Sequence, residues 1–107
     1  MVNSDKCLNI CFNYGGRSEI IRAINSFVDK SCVSEAELRS ALYTKNLPDP
    51  DVLIRTGGEH RISNFLLFQI AYSEIYFIDT LWPDFSTDEL QNILNDYAIT
   101  DRRFGKI

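Results

Sequence analysis

The sequence is poor in the features that mark several common classes of protein. Its three cysteines are odd in number and form no Cys-x-x-Cys or Cys/His spacing, which argues against a disulfide framework or a zinc site and favours buried or free thiols in a reducing compartment. No apolar run approaches the roughly 20 residues of a membrane-spanning helix, and no signal peptide opens the chain. We therefore expect a soluble, cytoplasmic protein, with contact at a membrane surface as its closest approach to lipid.

The chain is also short of positive charge. Eleven Lys and Arg against 15 Asp and Glu give a net charge of −4, so no basic face for nucleic acid is expected. No Gly-x-Gly-x-x-Gly or P-loop spacing occurs, which makes a generic nucleotide-binding domain a weak explanation. Within this acidic chain Arg55, His60 and Arg61 form a local basic cluster. Such a cluster attracts a small anionic ligand.

Short apolar runs alternate with amphipathic segments along the chain. The runs at residues 8–12, 52–54 and 75–78 are typical of buried parallel strands. The predicted helices cover residues 17–29, the segment from Ser34 to just before Pro48, residues 65–71 and the segment that begins at Ser86. Ser34 with Glu37 and Ser86 with Glu89 have the spacing of capping boxes.

This alternation predicts an α/β fold, a parallel sheet with helices on both faces. At 107 residues the chain forms one domain at most. Three strands are few for such a sheet, so we expect an incomplete sheet that exposes apolar surface and backbone groups at its open edge.

The most informative stretch of the sequence runs from Asp49 to Glu74. The turn at Asp49 leads into the apolar run 52–54, which is followed by Arg55-Thr56-Gly57-Gly58 and then by His60, Arg61 and Ser63. Glycines let the backbone approach an anion, guanidinium groups donate paired hydrogen bonds, and a serine adds a hydroxyl. The pattern indicates a diphosphate site at the end of a buried strand. An ordinary strand-loop-helix connection with surface arginines is the alternative that these residues leave open.

Residues 55–85 resemble the cis-prenyltransferases, the undecaprenyl diphosphate synthase family, whose pattern here is RTxGExRxSNFLxxQxxYxExxFxxxxWPxF. The matching residues are Arg55-Thr56, Gly58-Glu59, Arg61, Ser63-Asn64-Phe65-Leu66, Gln69, Tyr72, Glu74, Phe77, Trp82-Pro83 and Phe85. The flanking residues 8–10, 13–17 and 102–105 agree as well. The resemblance covers the whole chain but only the C-terminal part of the family fold. It implies that residues 1–107 are part of a single domain whose N-terminal half is absent.

The resemblance implies an activity and a set of site residues. The activity is condensation of isopentenyl diphosphate with an allylic diphosphate such as farnesyl diphosphate, giving a cis-polyprenyl diphosphate such as undecaprenyl diphosphate, a cell-wall lipid carrier, with Mg²⁺ assisting departure of diphosphate. The implied substrate-binding residues are Arg55, Arg61, Ser63, Arg103 and Gly105, the last two in a tail that reaches the partner's site in a homodimer. Glu74 is the implied Mg²⁺ ligand.

Three further residues are auxiliary candidates. His60 lies near the metal or a phosphate in the family, although a lone histidine is more often structural. Glu59 is expected to pair with a nearby arginine, with a metal contact left open. Arg17 either lines the cleft or belongs to a strand-to-helix turn.

No catalytic residue is assigned, because the family's magnesium-binding aspartate lies in the N-terminal half, before Met1. The allylic site and the product tunnel lie there too. The chain is therefore expected to be a truncated or split enzyme, or a partial gene product, that is inactive alone. A non-catalytic remnant or partner subunit of a prenyltransferase is the alternative.

Overall fold

The computed structural model describes residues 5–100. The elements follow in the order α1 (Gly16–Asn25), α2 (Glu35–Ala41), β1 (Val52–Arg55), β2 (Glu74–Phe77), a 3₁₀ turn (Trp82–Asp84) and α3 (Thr87–Ala98). β1 and β2 pair in parallel, in a register that runs from Val52 opposite Glu74 to Arg55 opposite Phe77. Parallel pairing brings the carboxyl ends of both strands to one edge. The predicted α/β class with an incomplete parallel sheet is confirmed.

Local capping sets where two helices begin. The hydroxyl of Ser34 accepts from the backbone N–H of Glu37 at 3.1 Å, and the Glu37 carboxylate accepts from the backbone N–H of Ser34 at 3.2 Å, so the predicted capping box of α2 is confirmed. At α3, Ser86 accepts from the backbone N–H of Glu89 at 3.1 Å. The Glu89 carboxylate instead accepts from the hydroxyl of Thr80 at 3.1 Å. The second capping box is therefore only half formed.

The first predicted strand, residues 8–12, does not form. Leu8, Ile10 and Phe12 are 85%, 70% and 87% exposed, so the expectation of a buried strand is wrong. Strand conformation is stabilised by hydrogen bonds to a neighbouring strand and by packing of its side chains. Within residues 5–100 the sheet contains only β1 and β2, and neither is paired with this segment.

The predicted helix over residues 65–71 is also wrong, because this segment forms a series of turns. Ser63, Asn64 and Leu66 have φ angles of 53°, 70° and 45°. Left-handed backbone is incompatible with a right-handed helix. A single helix-like hydrogen bond, from the N–H of Ile70 to the carbonyl of Leu66 at 3.1 Å, is present.

Helix α1 ends at Asn25, four residues before the predicted end at residue 29. The hydroxyl of Ser26 donates to the carbonyl of Ala23 at 2.6 Å and so competes with continuation of the helix. Asp29 then adopts a left-handed φ of 66°.

The apolar core is small. The apolar residues buried within the described part of the chain are Ala23, Leu42, Ile70 and Ile93. All three cysteines are free and exposed, so thiols are free as expected but none is buried. No helix within residues 5–100 is long and apolar enough to cross a bilayer.

Candidate functional site

The candidate site begins where β1 ends. Arg55 is the last residue of β1, and Gly57 and Gly58 follow with φ angles of 95° and 84°, which favour glycine over any residue with a Cβ atom. Their N–H groups donate to the carbonyls of Thr80 and Ile78, each at 2.9 Å. The glycines therefore fix the turn against the segment after β2, and their amides are not free to bind an anion.

Arg55 organises the loop that follows. Its Nη1 atom donates to the main-chain carbonyl of Arg61 at 2.6 Å and to the hydroxyl of Ser63 at 2.9 Å. The half-buried Arg55 thus brings together three of the five residues predicted to bind substrate, namely Arg55, Arg61 and Ser63. A guanidinium has five N–H donors in a planar fork, so these two bonds leave further donors for a ligand.

Arg61 forms an ion pair with Glu59, with Nη2 2.9 Å from Oε2. The side chains are 64% and 51% exposed. An exposed pair of this kind contributes about 1 kcal/mol or less. The guanidinium of Arg61 is therefore available to a stronger anion that competes with Glu59.

A cleft of about 360 Å³ lies beside this loop. Its lining combines basic and apolar side chains, namely Leu53, Ile54, Arg55, Thr56, Arg61, Ile62 and Phe65. Arg55 and Arg61 are both part of its wall. The combination suits a ligand with an anionic head and a short hydrocarbon body.

Asn64 joins the site loop to α1. Its main-chain carbonyl accepts from the N–H of Gly16 at 2.6 Å, and its Oδ1 accepts from the N–H of Arg17 at 2.9 Å. A Cβ atom on Gly16 would lie 2.8 Å from Cγ of Leu67, so only glycine fits this approach. The Arg17 side chain is exposed and lines a smaller hollow with Asn64 and Leu67. The turn at residues 13–17 thus supports the site loop.

A buried polar network behind the loop was not predicted from the sequence. Glu19 is 1% exposed and Gln69 is 2% exposed. The Glu19 carboxylate accepts from the hydroxyl of Tyr14, from the N–H of Tyr43 at 2.7 Å and from Nε2 of Gln69 at 3.1 Å. Gln69 Nε2 also donates to Thr44 at 3.0 Å. Burial, followed by the hydrogen bond to Glu19, raises the pKa of Tyr14 above its ordinary value.

The inner face of α1 explains why Glu19 was missed. Two of the isoleucines of α1, Ile21 and Ile24, are 56% and 43% exposed and do not form its buried face. The buried residues of α1 are Gly16, Glu19 and Ala23, at spacings of three and four. Glu19 thus lies between two small residues, Gly16 and Ala23, on one face of the helix, and this spacing is the sequence signal that could have identified it as buried.

The predicted residues still to be placed are Glu74, His60, Arg103 and Gly105. Glu74 is half-buried and opens β2 opposite Val52, three residues before the level of Arg55, which corresponds to about 10 Å along the strand. The His60 ring lies against Phe77, with ring centroids 5.2 Å apart. Arg103 and Gly105 lie outside the described residues.

Magnesium was predicted to bind at Glu74. Residues 5–100 contain no group of three or more His, Cys, Asp or Glu side chains that could by themselves hold a metal ion. The described donor set therefore does not form a complete Mg²⁺ site.

Comparison with known proteins identifies close relatives. A family model for undecaprenyl diphosphate synthases matches residues 2–105. An isoprenyl transferase from Fusobacterium nucleatum is 50% identical over 108 residues, which covers 98% of this chain and 46% of the relative. One from Aquifex aeolicus is 48% identical, over 94% of this chain and 44% of the relative. The chain spans less than half the length of these curated relatives.

Solved structures agree in fold. A probable undecaprenyl diphosphate synthase from Campylobacter jejuni superposes with a TM-score of 0.78 at 39% identity, covering 87% of this chain and 44% of that one. Lavandulyl diphosphate synthase from Lavandula x intermedia, solved with dimethylallyl diphosphate, gives a TM-score of 0.77 at 35% identity over 87% of this chain.

Proposed function

This chain belongs to the undecaprenyl diphosphate synthase family of prenyltransferases, and from that premise we propose that it carries the isopentenyl diphosphate-binding part of a cis-prenyltransferase. The hydrogen bond from Arg55 to Ser63, beside the exposed guanidinium of Arg61, supports the proposal. The whole enzyme would join isopentenyl diphosphate to an allylic diphosphate such as farnesyl diphosphate and release a cis-polyprenyl diphosphate such as undecaprenyl diphosphate.

The cluster is suited to hold a diphosphate in one orientation. A diphosphate carries two or more negative charges and needs several cationic donors to be fixed in place. Arg55 is already oriented by Arg61 and Ser63, so little side-chain entropy is lost when it binds. The Ser63 oxygen accepts from Arg55, which leaves the Ser63 proton free to donate to a phosphate oxygen.

The apolar wall of the cleft would position the hydrocarbon end of the substrate. Leu53, Ile62 and Phe65 line the same cleft as the two arginines. A five-carbon isopentenyl group is small enough to lie against these side chains while its diphosphate contacts the arginines. This placement presents the alkene of the substrate away from the charged end.

Mg²⁺ supplies charge neutralisation for a departing diphosphate when it is bound. Glu74 would contribute one carboxylate, and the further ligands would come from substrate oxygens and from residues outside those described. We also propose that the whole enzyme is a cytoplasmic homodimer in contact with the membrane surface. Arg103 and Gly105 would extend toward the partner's diphosphate site.

A replacement experiment tests the proposed function. The matching 46% of the Fusobacterium relative is exchanged for this chain, and the chimera is assayed with farnesyl diphosphate and radiolabelled isopentenyl diphosphate. We expect labelled polyprenyl product from the chimera and none from the 107-residue chain alone. A folded chimera without product would favour the non-catalytic alternative, and product from the chain alone would contradict its predicted inactivity.

A further inference from the structure

The segment before α1 exposes large apolar side chains in an alternating pattern. Leu8, Ile10 and Phe12 are 85%, 70% and 87% exposed, and each is separated from the next by one residue. Residues two apart lie on the same face of an extended chain. A segment with this pattern that has no partner strand among residues 5–100 can pair with another strand once it is extended.

A groove of about 350 Å³ borders this segment. Residues 9–15 line the groove together with Tyr43, Thr44 and Leu47. Tyr43 is 63% exposed. The exposed apolar surface is thus continuous from the segment to the loop after α2.

The carboxyl end of the segment is fixed beside the site loop. The Tyr14 and Phe65 rings meet edge to face with centroids 5.7 Å apart, and the N–H of Gly16 donates to Asn64 at 2.6 Å. Ser63, next to Asn64, is bonded to the last residue of β1. The carboxyl end of the segment therefore lies at the same edge of the sheet as the carboxyl ends of β1 and β2. A further parallel strand would have this direction.

The comparisons indicate what covers this surface. This chain matches 46% of the Fusobacterium relative and 44% of the Campylobacter structure, so more than half of the family domain is outside the match. We propose that residues 6–13 and the adjoining groove are the docking surface for that complementary part of the domain, an α/β polypeptide that presents a parallel strand edge with apolar side chains. Docking converts residues 8–12 into a strand.

A second copy of this chain fits the surface less well. A two-fold axis would pair the segment with itself in the antiparallel direction, whereas its carboxyl end is aligned with those of two parallel strands. Each copy also carries a net charge of −4, so two copies repel each other at long range.

Co-expression tests the proposal by measuring binding. The proposal rests on family membership, and the measurement does not require the proposed activity. The tagged chain is produced with the part of the Fusobacterium relative that it does not match. We expect a one-to-one complex and at least tenfold slower amide hydrogen exchange at residues 8–12 than in the chain alone. Ile10→Asp should weaken association at least tenfold.

Val28→Asp is the matched control, because Val28 is 76% exposed in the turn after α1 and does not line the groove. Ile10 is itself 70% exposed, so its substitution leaves the fold intact. The proposal is overturned if no complex forms, if Ile10→Asp and Val28→Asp have equal effects, or if the chain alone forms a dimer that Ile10→Asp disrupts. A complex that forms but lacks transferase activity would contradict the proposed function and leave the docking surface standing.

Discussion

The Nη1 atom of Arg55 lies 2.9 Å from Oγ of Ser63, eight residues further along the chain, and donates a hydrogen bond to it. The same atom donates to the carbonyl of Arg61. One side chain at the end of β1 thus sets the shape of the loop and also belongs to the wall of the cleft. Substitutions of Arg55 and its neighbours should therefore separate loop support from ligand binding.

Replacing Arg55 with alanine in the chimeric enzyme should raise the KM for isopentenyl diphosphate about ten- to a hundredfold. The expected loss is about 1.5–3 kcal/mol of charge-assisted hydrogen bonding. The KM for the allylic substrate should change much less. Arg22→Ala is the control, since its guanidinium lies 4.2 Å from the Tyr43 ring and not in the cleft. Equal changes for both substrates, together with a lost circular dichroism signal, would assign Arg55 to structure alone.

Glu59→Gln should act in the opposite direction. Because Glu59 pairs with Arg61 at 2.9 Å, its neutralisation removes a carboxylate that competes with the substrate anion. An exposed pair contributes about 0.2–1 kcal/mol, so the KM for isopentenyl diphosphate should fall by a factor of about 1.4 to 5. Glu35→Gln on α2 provides a comparison that removes the same charge elsewhere. A rise in KM would instead indicate that Glu59 itself assists substrate or metal binding.

Glu74→Gln should lower kcat and raise the Mg²⁺ concentration needed for half-maximal activity. The KM for isopentenyl diphosphate should stay nearly constant, because Glu74 lies about 10 Å along the sheet from Arg55. Titration of activity with Mg²⁺ at saturating substrate measures the shift, and Asp88→Asn on α3 is the control. An unchanged Mg²⁺ dependence would remove Glu74 from the proposed metal site.

Glu19→Ala should lower the free energy of unfolding by about 3 kcal/mol, since it deletes a buried acceptor and leaves Gln69 and the Tyr43 N–H without their partner. Urea denaturation of the chimera followed by circular dichroism measures the change. The exposed Glu35→Ala should change stability by no more than about 0.5 kcal/mol. Similar values for the two variants would show that the buried network contributes little.

Tyr14 should make stability fall at high pH. Burial and the hydrogen bond to Glu19 raise the pKa of Tyr14 in the folded state above its ordinary value of 10.0. The stability that the neutral Tyr14 hydroxyl contributes is therefore complete below about pH 10 and is lost as the pH rises above that value, because Tyr14 ionises first in the unfolded chain. Tyr14→Phe should flatten the decline in unfolding free energy between about pH 9.5 and 11. The pKa of Tyr76 is also raised, but Tyr76 is present in both proteins, so its effect cancels in the comparison. Parallel curves of unfolding free energy against pH for the two proteins would contradict the prediction.

Elements defined by neighbours in sequence were predictable. The capping box of Ser34 and Glu37 and the strand at β1 depend on residues within a few positions of each other, and both formed. Residues 8–12 have strand composition, but a strand also requires a partner that residues 14–100 do not supply. The local pattern therefore identified residues 8–12 as suited to a strand, but it could not show that the partner strand is missing from residues 14–100.

The parts of the site that depend on distant contacts were not predictable. The left-handed backbone at Asn64 is bound to the start of α1, so an apolar segment that reads as a helix becomes a set of turns. Glu19 is buried because Gln69 and Tyr43 supply donors from elsewhere in the chain. The arginine and serine cluster was identified because its residues lie within one short loop.

The contacts that hold the site loop against α1 also bear on folding kinetics. Asn64 and Arg17 are 47 residues apart, and Gln69 and Glu19 are 50 residues apart. Closing loops of this length costs chain entropy before any contact forms, and contacts of high sequence separation slow folding. The loop that carries Arg61 and Ser63 should consequently gain its native shape late in refolding. It should also be among the first parts to exchange its amide hydrogens when α1 detaches.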